Sequence, residues 1–169
     1  MNNLSSITQR IQQGYVLLMT LVLLILLTIL ALTQVALNSS QSRIAANATD
    51  SEVSFEKTEG AINEAINYLI NGTYSSTNFL LNNNGLYLFD PNVSLLWKTI
   101  NWSSSASVIN SFQGGTGTQA TYIIEQLPSV VLPGQNMKVP THVYRVTAHS
   151  IGASGNTSVL IQSTLQIQQ

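Results

Sequence analysis

The chain has 169 residues, enough for one domain of ordinary size, but only 8% of them are charged and the apolar residues are gathered unevenly. Six Lys and Arg stand against seven Asp and Glu, which argues against the basic footprint that nucleic-acid phosphate or an anionic lipid surface requires. Cysteine is absent, which excludes disulfides, thiolate nucleophiles and cysteine-metal sites and leaves stability to packing alone.

From Tyr15 to Leu37 the chain reads 23 residues without a charge, Pro or Gly, and about 20 suffice to cross the hydrocarbon. Fifteen of these are Leu, Ile or Val, each favouring insertion by roughly 0.3 to 0.6 kcal/mol at mid-bilayer, which outweighs Gln34 and three Thr hydroxyls. Thr20, Thr28 and Thr33 can bond the carbonyl one turn back and need no other role. Arg10 lies before the span and Arg43 six residues beyond it, a bias that puts the N-terminus in the cytoplasm. A cleaved secretory signal is the rival reading, with Ala46-Asn47-Ala48 as its small-residue site. Two features oppose it: the apolar run exceeds the usual h-region of about 7 to 15 residues, and Ala48 lies far beyond the run's end.

No breaker follows the span, and a second pattern takes over. At 100° per residue, Leu37, Ile44, Ala48, Phe55, Ile62, Ile66 and Leu69 fall within a stripe about 60° wide, so one face is made to be buried. Asp50, Lys57, Glu64 and Asn67 lie roughly opposite. Asp50, Glu52, Glu56, Glu59 and Glu64 read as the solvated face of a helix rather than an acidic tail. Asn71-Gly72-Thr73 supplies the stop, so the helix should end near Ile70. From Tyr15 that makes about 56 residues, roughly 85 Å, far beyond ordinary globular helices, and half of it needs a partner. The stripe can meet the chain's own C-terminal part, neighbouring subunits, or both. Gly60 sits mid-helix, a place for close backbone approach or local flexibility. Glu59 falls on the flank of the stripe, where its stem covers apolar area.

Residues 73–119 are rich in Asn, Ser, Thr and Gly and read as loop, with short apolar pieces at 79–81, 86–89 and 93–97 between turn signals. Three stretches then turn β-like: Thr121 to Gln126, Thr141 to Ser150 and Thr157 to Ile167, the last two joined by a glycine-bearing hairpin. Tyr144, Val146 and Ala148 share one face, as do Val159, Ile161, Leu165 and Ile167. An antiparallel sheet with one apolar face, covered by the single amphipathic helix, is an α+β arrangement.

Chemistry is sparse. Gly115 to Ala120 resembles a loose dinucleotide fingerprint but precedes a strand instead of opening a helix, and the motif is rejected. His142 and His149 are seven apart, on opposite faces of a continuous strand, which disfavours a shared metal. Without a nucleophile elbow, zinc helix or phosphate loop, no enzyme, cofactor or metal centre is expected.

A short leader ending at Gln13-Gly14, an apolar helix directly after it, an amphipathic continuation and a C-terminal antiparallel sheet resemble a type IV pilin. More narrowly, Phe55, Glu59, Ala61 and Ile62 resemble the Phe-x-x-x-Glu-x-Ala-Leu/Ile stretch of the PilX-type minor pilins. Tyr144 to Ala148, Gly152, Gly155-Asn156 and Gln162-Ser163 resemble that family's C-terminal part. The likeness covers roughly 10–70 and 142–168. It implies a leader over 1–14, a transmembrane half over 15–37, an amphipathic half over 38–71 and a globular head over 72–169. It further implies cleavage between Gly14 and Tyr15 by prepilin peptidase, N-methylation of Tyr15, a single pass through the inner membrane with a periplasmic head, and later residence in the extracellular pilus. Its partners would be other minor pilins and a tip adhesin, and Met19, Phe55, Glu59, Ile62 and Ile66 are the assembly candidates.

Three departures from the pilin pattern favour a minor over a major subunit. Most pilins carry Glu at the fifth position of the processed chain, where this one has Met19; Ala36 stands where many major pilins have Pro; and the usual cysteine pair is missing. A subunit that primes assembly or sits at the tip is the expectation. A pseudopilin of a type II secretion system shares every feature so far, and a membrane-anchored periplasmic sensor or binding module remains a reading from another class.

Overall fold

The computed structural model describes the backbone of residues 4–111, 120–134 and 139–168, with side chains described from Gly14 onward within those ranges. Gly114 to Gly117 and most of the rejected fingerprint lie outside the described residues. Helix α1 runs from Leu4 to Ile70, so helix already precedes Gly14, and the boundary expected there falls within a helix, not at its start. The chain divides into two compact units, Met1–Ala46 and Asn47–Gln169.

Among the described residues the first unit is helix throughout. Its large side chains, from Tyr15 at 62% exposure to Val35 at 69%, touch nothing that covers them. Thr20, Thr28 and Thr33 donate to the carbonyls of Leu17, Leu24 and Ile29 at 2.8, 2.7 and 2.6 Å, as the sequence leads one to expect.

The second unit is a helix on a sheet. Its helix ends as read, at Ile70, through a left-handed Gly72 with φ of 71°. The Thr73 N–H closes on the Tyr68 carbonyl at 3.0 Å and the Gly72 N–H on Leu69 at 3.2 Å, satisfying two orphan carbonyls. Two single-turn helices follow, α2 (Ser76–Phe79) and α3 (Leu96–Thr99).

Five strands form one sheet: β1 (Leu86–Leu88), β2 (Ile109–Asn110), β3 (Thr121–Val130), β4 (Thr141–Ile151) and β5 (Ser158–Gln168), in the order β1-β3-β4-β5, with β2 beside the start of β3. The three predicted strands are there: β3 and β4 run past their sequence signals, and β5 has the expected length one residue further on. The sheet is mixed rather than antiparallel, because β1 pairs parallel to β3, with Leu86 opposite Ile124 and Leu88 opposite Gln126. A parallel neighbour needs a long connection, and residues 89–120 supply it. The register of β3 on β4 shifts between Leu127 and Val130, where Pro128 has no N–H to give the ladder.

The α+β architecture stands, and the core fills the space between helix and sheet. Ala61, Ile62, Ala65 and Leu69 from α1 meet Phe79, Leu86, Tyr122, Ile124, Tyr144, Val146 and Ala148. The helix is, however, rotated relative to the predicted stripe. Ser54, Thr58, Ala61, Ala65 and Leu69 are the residues turned inward, a row centred about 70° from the stripe's middle at 100° per residue. Leu69 belongs to both rows and Ile62 lies between them, and both are buried; Ile66 is half-buried; Ile44, Ala48 and Phe55 are exposed. The reason is close approach: small side chains let a helix backbone lie near a sheet already filled by Tyr122 and Tyr144, and a Phe there would hold the two apart.

Candidate functional site

Polar groups fix the helix of the second unit on its sheet at two places. Toward its start, the Thr58 hydroxyl donates to Ser150 Oγ at 2.8 Å, and Ser150 Oγ donates to the Ser54 carbonyl at 2.8 Å, all three buried. One turn earlier the Asp50 carboxylate accepts from Ser154 Oγ at 2.6 Å, from the Ser154 N–H at 3.4 Å and from the Thr157 hydroxyl. These bonds, led by the Ser154 hydroxyl, hold its carboxyl below the usual carboxylate range. Gly152 makes the approach possible, since a Cβ there would lie 2.1 Å from Asp50 Oδ2. Toward the helix's end, Ser111 Oγ donates to Glu64 Oε2 at 2.9 Å and the Tyr122 hydroxyl to Glu64 Oε1 at 3.4 Å, with the Tyr74 hydroxyl 3.3 Å from that of Tyr122. Burial pushes the Tyr122 phenol far above its ordinary range.

Asp50 and Glu64 therefore correct the reading of a uniformly solvated acidic face: both are bonded to the head. Glu52, Glu56 and Glu59 do face solvent. Glu59 is exposed and not desolvated. With Phe55, half-exposed at 50%, it lies along the outward side of the helix, the two being neighbours one turn apart, whereas Ile66 is half-buried and packs against the core. Ile62 is turned into the core and is not part of that surface. Gly14, Tyr15 and Met19 lie in the first unit on an exposed helix surface, and nothing lies within 4 Å of a Cβ built on Gly14.

On the sheet's other face Arg145 grips Glu125 through two bonds of 2.9 Å, both side chains largely buried, with the guanidinium 5.4 Å from the Phe89 ring centre. They floor a groove of about 220 Å³ walled by Tyr87, Phe89, Leu95 and Leu96. Glu125 and Arg145 neutralise each other, Asp90 at the groove's edge is bonded to Asn92, and the groove is smaller than the 300 to 1,000 Å³ usual for ligand sites, so it gives a sensor reading no support. His142 and His149 stand on opposite faces, His149 stacked on Trp102 at 5.0 Å. No group of three or more metal-ligating side chains gathers among the described residues.

An apolar helix long enough to cross a membrane, joined to a helix-on-sheet unit, defines a membrane-anchored protein of pilin-like build. The family of type IV pilus assembly proteins described as the PilX C-terminal part matches residues 38–167, and the chain belongs to it. The match is continuous through 73–141, where the sequence carries no recognisable motif. No curated protein and no solved structure matches the chain.

Proposed function

We propose that this chain is a minor pilin that primes type IV pili, working in an initiation complex or at the pilus tip with other minor pilins and a tip adhesin. The observation that carries the reading is the division of the helix into two faces. The Ser54 to Leu69 row is spent on the chain's own sheet, and the Phe55 and Glu59 side is left outward, with half-buried Ile66 at its border, where a neighbouring subunit's helix would lie. Met19 supports the priming role: stacking into a filament normally uses a carboxylate at that place, by likeness to pilins, and this chain offers a thioether. On the same reading prepilin peptidase cuts after Gly14 on the cytoplasmic side, Tyr15 becomes the methylated N-terminus, and the periplasmic head later reaches the cell exterior.

Two experiments test it. Mass spectrometry of the membrane-extracted chain should find a start at methylated Tyr15, and Gly14→Phe should abolish that species; an unprocessed chain in piliated cells would count against the pilin reading. Deleting the chain should remove surface pili while protein secretion continues. Lost secretion with normal pili would instead assign it to a secretion system.

A further inference from the structure

The two ends of the sheet are finished differently. At one, β1 is three residues long, a short edge of the kind that resists further pairing. At the other, β5 runs for 11 residues in unbroken register with β4, from Ile151 opposite Ser158 to Thr141 opposite Gln168. Its second backbone edge, a row of N–H and C=O groups, meets no strand among the described residues. The strand carries none of its own protections: Ser158–Gln168 holds no Lys, no other charge, no Pro and no bulge. Its side chains are also only half finished. Ile161, Leu165 and Ile167 reach the core from one face but stay partly exposed, while Leu160, Thr164 and Gln166 on the other face are exposed.

We propose that β5 is a docking edge that takes an extended strand from a different pilus subunit, adding a sixth strand to the sheet. The chemistry of the occupant follows from the row it must lie against. It is an uncharged segment of alternating residues, with apolar side chains beside Ile161, Leu165 and Ile167 and hydroxyl or amide side chains beside Thr164 and Gln166. A second copy of this chain does not fit. Antiparallel pairing of two β5 strands puts a two-fold axis normal to the sheet and reverses residues 47–70 in one copy. The Asn47 ends of the two heads would then face opposite ways, which chains inserted in one membrane cannot satisfy. The proposal rests on membership in a pilus assembly complex but not on the priming role.

The test uses the full chain in piliated cells, with a photo-crosslinking residue at Thr164 and, separately, at Gln166. Crosslinks are expected to a different subunit, at two positions two residues apart in one extended segment. Crosslinks to a second copy of this chain, to a helical segment, or to no protein would overturn the proposal. Proline scanning gives a second reading: of Ser163→Pro and Thr164→Pro, one removes an N–H facing β4 and the other an outward N–H. The outward variant should keep a protease-resistant head and lose the crosslink placed at Gln166, as should the paired Gln162→Lys, Gln166→Lys chain with the probe at Thr164. A folded head that retains its crosslink in both variants sinks the idea. Missing crosslinks alongside loss of pili on deletion would remove this proposal and leave priming intact, whereas crosslinks with normal piliation after deletion would do the reverse.

Discussion

Asp50 accepts three hydrogen bonds from the β4–β5 hairpin, and its lowered pKa carries a sign. A carboxyl whose folded pKa lies below its unfolded value of 3.8 stabilises the fold above that value and loses the contribution as pH falls through the folded pKa. Thermal unfolding followed from pH 7 down to pH 3 should therefore show an acid-side loss, and Asp50→Asn should be less stable at neutral pH with a flatter acid limb. An unchanged limb would detach the hairpin contact from stability. The Glu125 and Arg145 pair makes a sharper case because both are buried. Arg145→Ala strands a carboxylate beneath Phe89 and should cost about 3 to 5 kcal/mol, whereas the double Glu125→Leu, Arg145→Met chain should recover most of that. Denaturant titration of the detergent-solubilised protein measures both.

On the proposed function helix α1 has two jobs on two sides, and substitutions should separate them. Ala61 is fully buried, so Ala61→Leu overfills the helix–sheet gap and should destabilise the head by about 1 to 3 kcal/mol. Phe55→Ala removes a half-exposed ring and should change stability by no more than about 0.5 kcal/mol, while pilus counts by electron microscopy fall. Equal losses of stability in the two variants would contradict the division of faces. The sequence revealed the helix, its stop at Gly72 and the three long strands, because those signals are local: hydrophobic period, a left-handed glycine, β-branched runs. It misplaced the rotation of the helix, because Ser54, Thr58 and Ala65 read as indifferent residues and become interior only where a sheet comes close. The parallel β1 was equally hidden. Leu86 to Leu88 is an apolar scrap whose register is set by β3, some 35 residues away in sequence. Asp50 looked solvated because nothing in a helix pattern names Ser154 and Thr157 as its donors.

At the scale of the whole molecule, Met19 is the residue to change. If the missing carboxylate keeps this subunit to the start of a filament, Met19→Glu should let it enter along the shaft. Immunogold labelling of the variant should then spread over the pilus length, and label confined as in the parent chain would argue that position is set elsewhere. The candidate assembly surface was less legible than the fold, since a family likeness supplied Phe55, Glu59, Ile62 and Ile66 together and only the packing shows that Ile62 faces the other way.

The three threonines of the apolar helix already spend their hydroxyl protons on the backbone one turn behind. Apart from the Gln34 amide and the Tyr15 hydroxyl at its start, such a rod turns no side-chain donor toward whatever surrounds it, lipid tail or neighbouring helix alike. Passing from bilayer to filament would then exchange dispersion contacts of similar strength and leave every hydroxyl bond as it was. On the proposed function, the energy demanded of the assembly machinery would be that of moving a greased surface past another, not of breaking and remaking a lock of hydroxyl bonds.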